Sequence, residues 1–207
     1  MFRSVDENDP PKERAVSATG EATLNDGLLL ERAGRGDAAS FEALFHRHYD
    51  RVYGILFRLV GERAEAEDLA QEVFLKLHDH ARRRGRRDEE NVSAWLYRVA
   101  TNLGYNALRG QRRRWQRDTA LLPDRLTGDA ADEVVTRREE RVRVRAALAR
   151  IGERPARLLI LRQMGFSYAE CAAICDVAAG SVGTLLARAA RDFRRAYERE
   201  ASDGKRD

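Results

Sequence analysis

Residues 95–114 read WLYRVATNLGYNALRGQRRR, and wound as a helix they show two unlike faces. Leu96, Val99, Ala100, Leu103 and Ala107 recur at the spacing of a stripe turned towards a core. Trp95, Arg98, Asn102, Tyr105 and Arg109 recur at the same spacing on the other side. That side brings rings, an amide and guanidinium groups to one surface. Rings stack on bases, guanidinium groups meet phosphates and an amide can reach a base edge. The run closes on Arg112, Arg113 and Arg114, with Trp115 and Arg117 beyond. The pattern predicts a helix that engages nucleic acid. The alternative is a core helix with an ordinary polar face, which the interleaved rings and Arg side chains do not need.

Upstream, the periodicity predicts three more helices. One covers about 26–33 and stops at Gly34 and Gly36. Asp37 can cap the next, at about 38–60, which carries Phe41, Leu44, Phe45, Val52, Ile55, Leu56 and Leu59 and closes at Gly61. The third, at about 64–80, has a narrow apolar stripe at Leu69, Val73 and Leu77 opposite Asp68, Gln71, Glu72 and Lys76. A charge block at 82–90 reads as a mobile loop, and Asn91 or Ser93 can cap the helix that follows. Residues 1–23 are polar and aperiodic, and are expected to be a disordered tail.

Downstream, residues 115–133 hold Pro123, Gly128 and several Asp without a sustained apolar period, which predicts a flexible linker. A charged helix follows at about 134–150, then one with Pro155 in its first turn that ends near Met164 and Gly165. Ser167 and Glu170 have capping-box spacing and start a short helix. A turn at 176–180 leads into a long final helix. Its inward stripe is Val182, Leu186, Ala189, Phe193 and Tyr197; its outward one is Ser181, Thr184, Arg188, Arg191 and Arg195. Short helix, turn and two-faced helix resemble a helix-turn-helix, with hydroxyl and Arg groups placed for a major groove. A helical hairpin with a solvated basic face would share that pattern. Residues 201–207 form a polar tail.

No stretch alternates with period two for long enough to make a strand. The expected fold is all-α, with two small helical domains, 24–114 and 134–200, joined by the linker. A chain of 207 residues has room for two such cores. With 38 Lys+Arg against 34 Asp+Glu, local clustering of charge matters more than the net +4. No run of about 18 apolar residues occurs and the N-terminus has no signal-peptide core, so a cytoplasmic protein without membrane insertion is expected. Cys171 and Cys175 fall on the apolar side of a short helix and read as core. Neither a phosphate loop, a catalytic triad nor a zinc-ligand set occurs, so no cofactor, metal or enzymatic activity is expected. His46, His48, His78 and His80 read as surface or partly buried residues.

The order of the segments carries more than any one of them. GDAASFEALFHRHYDRVYGI, AEDLAQEVFLKL, SAWLYRVATNLGYNALRGQRRR, a linker and FSYAECAAICDVAAGSVGTLLARA together resemble the extracytoplasmic-function class of the bacterial sigma-70 family. Those sigma factors have two helical domains, regions 2 and 4. The resemblance implies a promoter-specificity subunit that directs recognition, DNA melting and transcription initiation. It implies that Asp68, Leu69, Gln71, Glu72 and Phe74 dock on the β′ clamp helices of RNA polymerase. Trp95, Arg98, Asn102, Tyr105, Arg109, Arg112 and Arg113 would meet the −10 element, with Asn102 at the exposed base. Ser181, Thr184, Arg188 and Arg191 would read the −35 element. The implied partners are core RNA polymerase (β′ clamp helices and β flap), promoter DNA and an anti-sigma factor. The chain departs from the family in an Arg-rich, aromatic-free loop at 82–91, in Gly183 and Leu185 where Lys and Arg are common, and in Asn106 where Asp is common.

Three rival readings exist. A polymerase-independent helix-turn-helix repressor or activator would leave residues 68–74 and 95–102 without a role. A metal-dependent nucleic-acid enzyme built on Asp68 and Glu72 lacks further ligands. A decoy would bind polymerase without starting transcription.

Overall fold

Side-chain caps set the start of α-helices one, two, four and seven along the described chain in the computed structural model. The structure describes residues 25–83, 91–119 and 132–203, with the backbone alone at 115–119, 132–138, 201 and 203. The expected tail at 1–23, most of the Arg-rich loop (84–90), the middle of the linker (120–131) and the last four residues (204–207) of the tail expected at 201–207 lie outside the described residues, while 201–203 are helical.

Helix α1 spans Asp26–Gly34 and is capped by the Asn25 side chain, which accepts from the Gly27 amide at 3.1 Å. Helix α2 spans Ala38–Val60; Asp37 accepts from the amides of Ala39 and Ser40, and Gly61 ends the helix in the left-handed region at φ 79°. Helix α3 covers Arg63–Arg83. Helix α4 covers Val92–Thr119, with Asn91 accepting from the Ala94 amide at 2.9 Å, so Asn91 rather than Ser93 is the cap. The helical backbone thus continues five residues into the segment read as linker.

The second half holds α5 (Asp132–Arg150), α6 (Glu153–Gln163), α7 (Tyr168–Cys175) and α8 (Val182–Asp203), with a 3₁₀ turn at Ala179–Ser181. Ser167 and Glu170 form the capping box of α7: the Ser167 amide donates to the Glu170 carboxylate at 2.7 Å and the Glu170 amide to Ser167 Oγ at 3.2 Å. The Ser167 hydroxyl, which also donates to the Glu170 carboxylate at 2.7 Å, and then the Ser167 amide hold that carboxyl below its ordinary range. Asp176 ends α7 at φ 55°, and the chain bends by 107° into α8, the geometry of a helix-turn-helix.

The fold is all-α among the described residues, in two helical sets. The first packs α2 against α3 and α4, with Leu44, Val52, Ile55, Leu56, Leu59, Val73, Leu77 and Leu96 fully buried. Small residues let these helices close up. A Cβ on Gly34 would overlap the backbone carbonyl of Ala81, and one on Gly104 would come within 2.7 Å of Leu59. The second set packs α8 against α5 and α6 around Leu158, Leu161, Ile174 and Val182. The two sets do not stand apart. Helices α5, α6 and α7 lie on α4, and one continuous group of buried residues runs from Leu29 to Val182.

Candidate nucleic-acid and polymerase interfaces

Helix α4 is rotated from its expected setting. Its buried positions are Val92, Ala94, Leu96, Tyr97, Ala100, Thr101, Gly104, Tyr105 and Leu108, while Val99, Leu103 and Ala107 are only half-buried. The cause is the close crossing with α2. Thr101 and Gly104 are small enough to turn inward beside Ala100, and a count of apolar residues passes over them. Tyr105, read as an exposed stacking ring, is 4% exposed; its hydroxyl donates to the Ala149 carbonyl at 3.3 Å and burial raises its pKa. That corrects the expectation of an open ring at this position.

The other residues of the same face divide into covered and open ones. Trp95 is half-buried and stacks on His80 at 4.5 Å between centroids. Arg98 donates through Nε to the Ile174 carbonyl at 2.9 Å and through Nη2 to the Ala173 carbonyl at 2.7 Å. Asn102 accepts from the Arg157 guanidinium. Burial pulls Arg157 below the usual range of an Arg. Arg109 and Arg113 are exposed and Arg112 half-buried, so the basic end of α4 stays at the surface.

Helix α3 carries the expected polar face with one exchange. Asp68 and Gln71 are exposed, Leu69 is half-buried and Glu72 pairs with Lys76 at 3.2 Å. Phe74, expected to face a partner, is 3% exposed and packs 4.7 Å from the ring of Phe45 and 6.3 Å from that of Tyr49. It is a core residue of this fold. Its neighbour Leu75 is 66% exposed and shares a face with Asp68, Gln71 and Glu72 at i, i+3, i+4, i+7 spacing. Leu75 falls off the apolar stripe of Leu69, Val73 and Leu77, which is the signal the sequence offered for it.

On α8 the expected division holds. Ser181, Thr184, Arg188, Arg191 and Arg195 are exposed along one face, while Val182 and Ala189 are buried and Leu186, Phe193 and Tyr197 half-buried. Gly183 meets only the Tyr168 ring, at 3.6 Å from a notional Cβ. Cys171 and Cys175 are buried free thiols, and burial pushes Cys175 up to about 11. A thiol that stays protonated is a poor nucleophile, in keeping with a core role.

Sequence periodicity did not point to four further residues. His48 is 5% exposed and is held between the Tyr97 hydroxyl and the Asp26 carboxylate, each at 2.8 Å. Tyr97 in turn meets Phe166 edge-on at 5.2 Å, and Arg51 lies over the Phe166 ring at 5.1 Å. Tyr97, Phe166 and Arg51 join the two helical sets.

Comparison with known proteins bears directly on these surfaces. The signature of Sigma-70 region 2 matches residues 44–114, and that of Sigma-70, region 4, matches residues 141–192. The RNA polymerase sigma-H factor of Pseudomonas aeruginosa is 31% identical over 175 residues, 79% of this chain and 89% of that protein. The ECF RNA polymerase sigma-E factor of Escherichia coli is 30% identical over 192 residues, 88% of this chain and 94% of its own. The chain belongs to the extracytoplasmic-function class of the sigma-70 family. A solved structure of CnrH in complex with the cytosolic domain of CnrY shares the fold, with a TM-score of 0.54 at 19% identity, covering 84% of this chain and 97% of that one.

A sigma factor binds RNA polymerase and directs it to promoters for transcription initiation, and is not an enzyme. The region 2 match falls on α2–α4 and the region 4 match on α5–α8.

Proposed function

We propose that three surfaces of this sigma factor divide the work of initiation. The face of α3 formed by Asp68, Gln71, Glu72 and Leu75 docks on the β′ clamp helices, with Leu69 contributing from its edge. The face of α4 carrying Trp95, Arg98, Asn102, Arg109, Arg112 and Arg113 meets the −10 non-template strand as it unpairs; Tyr105 joins it only if α5 moves away. The outward face of α8, Ser181, Thr184, Arg188 and Arg191, reads the −35 duplex, and region 4 sits near the β flap. Residues 24–114 and 134–200 act as the two functional units, with 115–133 between them. The protein works in the cytoplasm and is held in check by an anti-sigma factor.

The observation that carries this division is the geometry of α8 and α3. Five hydroxyl or Arg side chains stand exposed on one side of a helix-turn-helix, and an acidic and amide face around an exposed leucine stands on a different helix. Arg reaches both base edges and phosphates from a groove-bound helix. A leucine ringed by polar groups suits a protein partner better than water.

Strand opening follows from balance of terms. Unstacking a base costs a few kcal/mol, and stacking it on a ring returns about 1–3 kcal/mol. Free sigma therefore has little surplus with which to open a promoter, and polymerase supplies the rest by holding both DNA-binding units on one template. The test is run-off transcription from a promoter library with core polymerase plus this protein. Specific transcripts are expected. A stable complex that starts none would make the protein a decoy. Tight operator binding by the free chain would favour the polymerase-independent regulator.

A further inference from the structure

We infer that His80 is a positioning residue for strand capture: it holds the Trp95 ring as the platform on which an unpaired base of the −10 strand stacks. The inference rests on the assignment of α4 to that strand.

One ring of the α4 face is placed for the task. An unpaired base gains by stacking on an aromatic side chain, and three such side chains are described on α4. Tyr97 is 3% exposed and Tyr105 4%, so neither meets a base in this structure. Trp95 is half-buried and keeps part of its surface open. No aromatic residue occurs between His80 and Trp95 in the sequence, so the segment joining α3 to α4 supplies no second ring.

Both partners of the stack stand on fixed backbone. The Trp95 amide donates to the Asn91 carbonyl at 3.0 Å in the first turn of α4, and its neighbours Ala94 and Leu96 are buried. His80 lies in the last turn of α3, beside Ala81, which is buried where its carbonyl comes against Gly34 of α1. Those anchors fix where the two side chains start and leave the side-chain torsions of Trp95 open. The imidazole sets them. The two ring centroids are 4.5 Å apart and the planes 18° apart, within the range of a stacked aromatic pair.

A side chain held in place before its ligand arrives loses no rotamer freedom on binding. The stack therefore contributes to capture although His80 itself touches no DNA. The neighbouring histidine has a different task. His78 meets Phe41 of α2 edge-on at 5.5 Å, since residues two apart point to different sides of a helix. Of this pair it is His80 that reaches α4. His80 is also no part of the α3 docking face, so assembly with polymerase should not depend on it.

The test uses holoenzyme and a −10 non-template oligonucleotide, taken from a promoter that run-off transcription identifies, with 2-aminopurine at one position at a time. Stacking quenches the fluorescence of that base. The parent is expected to quench one position, and Trp95→Ala to lose that quench. A parent that quenches no position, or a Trp95→Ala variant that keeps the quench, overturns the platform. His80→Ala is expected to bind the oligonucleotide about fivefold more weakly, with assembly on core polymerase within about twofold of the parent. His80→Phe, which restores a flat ring, should recover that loss. His80→Leu, which fills space without a plane, should not. Equal binding by the Phe and Leu variants, or parental binding by His80→Ala, overturns the positioning role. If Asn102→Ala holoenzyme also binds as tightly as the parent, the α4 assignment itself falls; weak binding by Asn102→Ala confines the failure to His80.

Discussion

Arg98 donates through Nε to the carbonyl of Ile174 at 2.9 Å, across 76 residues of chain. A residue of the expected DNA face caps the first helix of the helix-turn-helix. Arg98→Ala leaves the Ala173 and Ile174 carbonyls without their charged donor, so chemical denaturation of the free protein should show a loss of about 1–3 kcal/mol. Arg98→Lys should recover only part of it, because an ammonium cannot place two parallel donors. An unchanged midpoint in both variants would show that the contact contributes nothing.

Phe74 and Leu75 are neighbours in sequence with opposite fates. Phe74→Ala empties a site between Phe45 and Tyr49 and should cost about 3–5 kcal/mol in unfolding free energy. Leu75→Asp should leave stability within about 0.5 kcal/mol and weaken assembly with core polymerase at least tenfold, a loss of about 1.4 kcal/mol. Fluorescence anisotropy of labelled core polymerase reads assembly. Full-strength assembly by Leu75→Asp would remove this leucine from the docking face.

Two glycines make a matched pair. Gly34 approaches the backbone of Ala81, so Gly34→Ala forces α1 off α3 and should cost about 1–3 kcal/mol. Nothing lies within 4 Å of a Cβ on Gly110, in the interior of α4, so Gly110→Ala should gain about 0.5–1 kcal/mol. Urea denaturation of the two variants should move in opposite directions. Equal shifts would contradict the close packing of α1 on α3.

Asp26 gives stability a pH dependence of known sign. The hydrogen bond with His48, followed by that from Arg47, holds its carboxyl below the ordinary range despite its partial burial. A carboxyl depressed in the folded state contributes stability that is fully present above its unfolded value, about 3.9. That contribution disappears as pH falls through the lower folded value. Thermal unfolding of Asp26→Asn should therefore depend less on pH than the parent below about pH 4. Asp37 and Glu170 are also depressed and titrate alike in both proteins, so the difference isolates Asp26. Identical acid limbs would contradict the role of the His48 bridge.

Much of the fold was legible because its signals are local. Asp37, Gly61, Ser167 and Glu170 are where cap chemistry put them, since a cap needs only its own turn. The two faces of α8 were legible for a similar reason: it packs on one side only. Helix α4 was misjudged by a rotation, because Thr101, Gly104 and Tyr105 turn inward and periodicity counts none of them as core. Phe74 was misplaced because residue type alone cannot separate a docking ring from a core ring one position from an exposed leucine. The seam between regions 2 and 4 had no sequence signal. Its contacts join distant residues, Arg98 to the Ala173 and Ile174 carbonyls, Asn102 to Arg157 and Tyr97 to Phe166, and nothing in the spacing of either helix requires them.

Asn102 tests the account most directly. Holoenzyme carrying Asn102→Ala should assemble within about twofold of the parent, while permanganate reactivity of −10 thymines falls about tenfold or more, the loss of roughly 1.4 kcal/mol of strand capture. An equal loss of assembly and opening, or full opening without the Asn102 amide, would contradict the assignment of α4 to the melting strand.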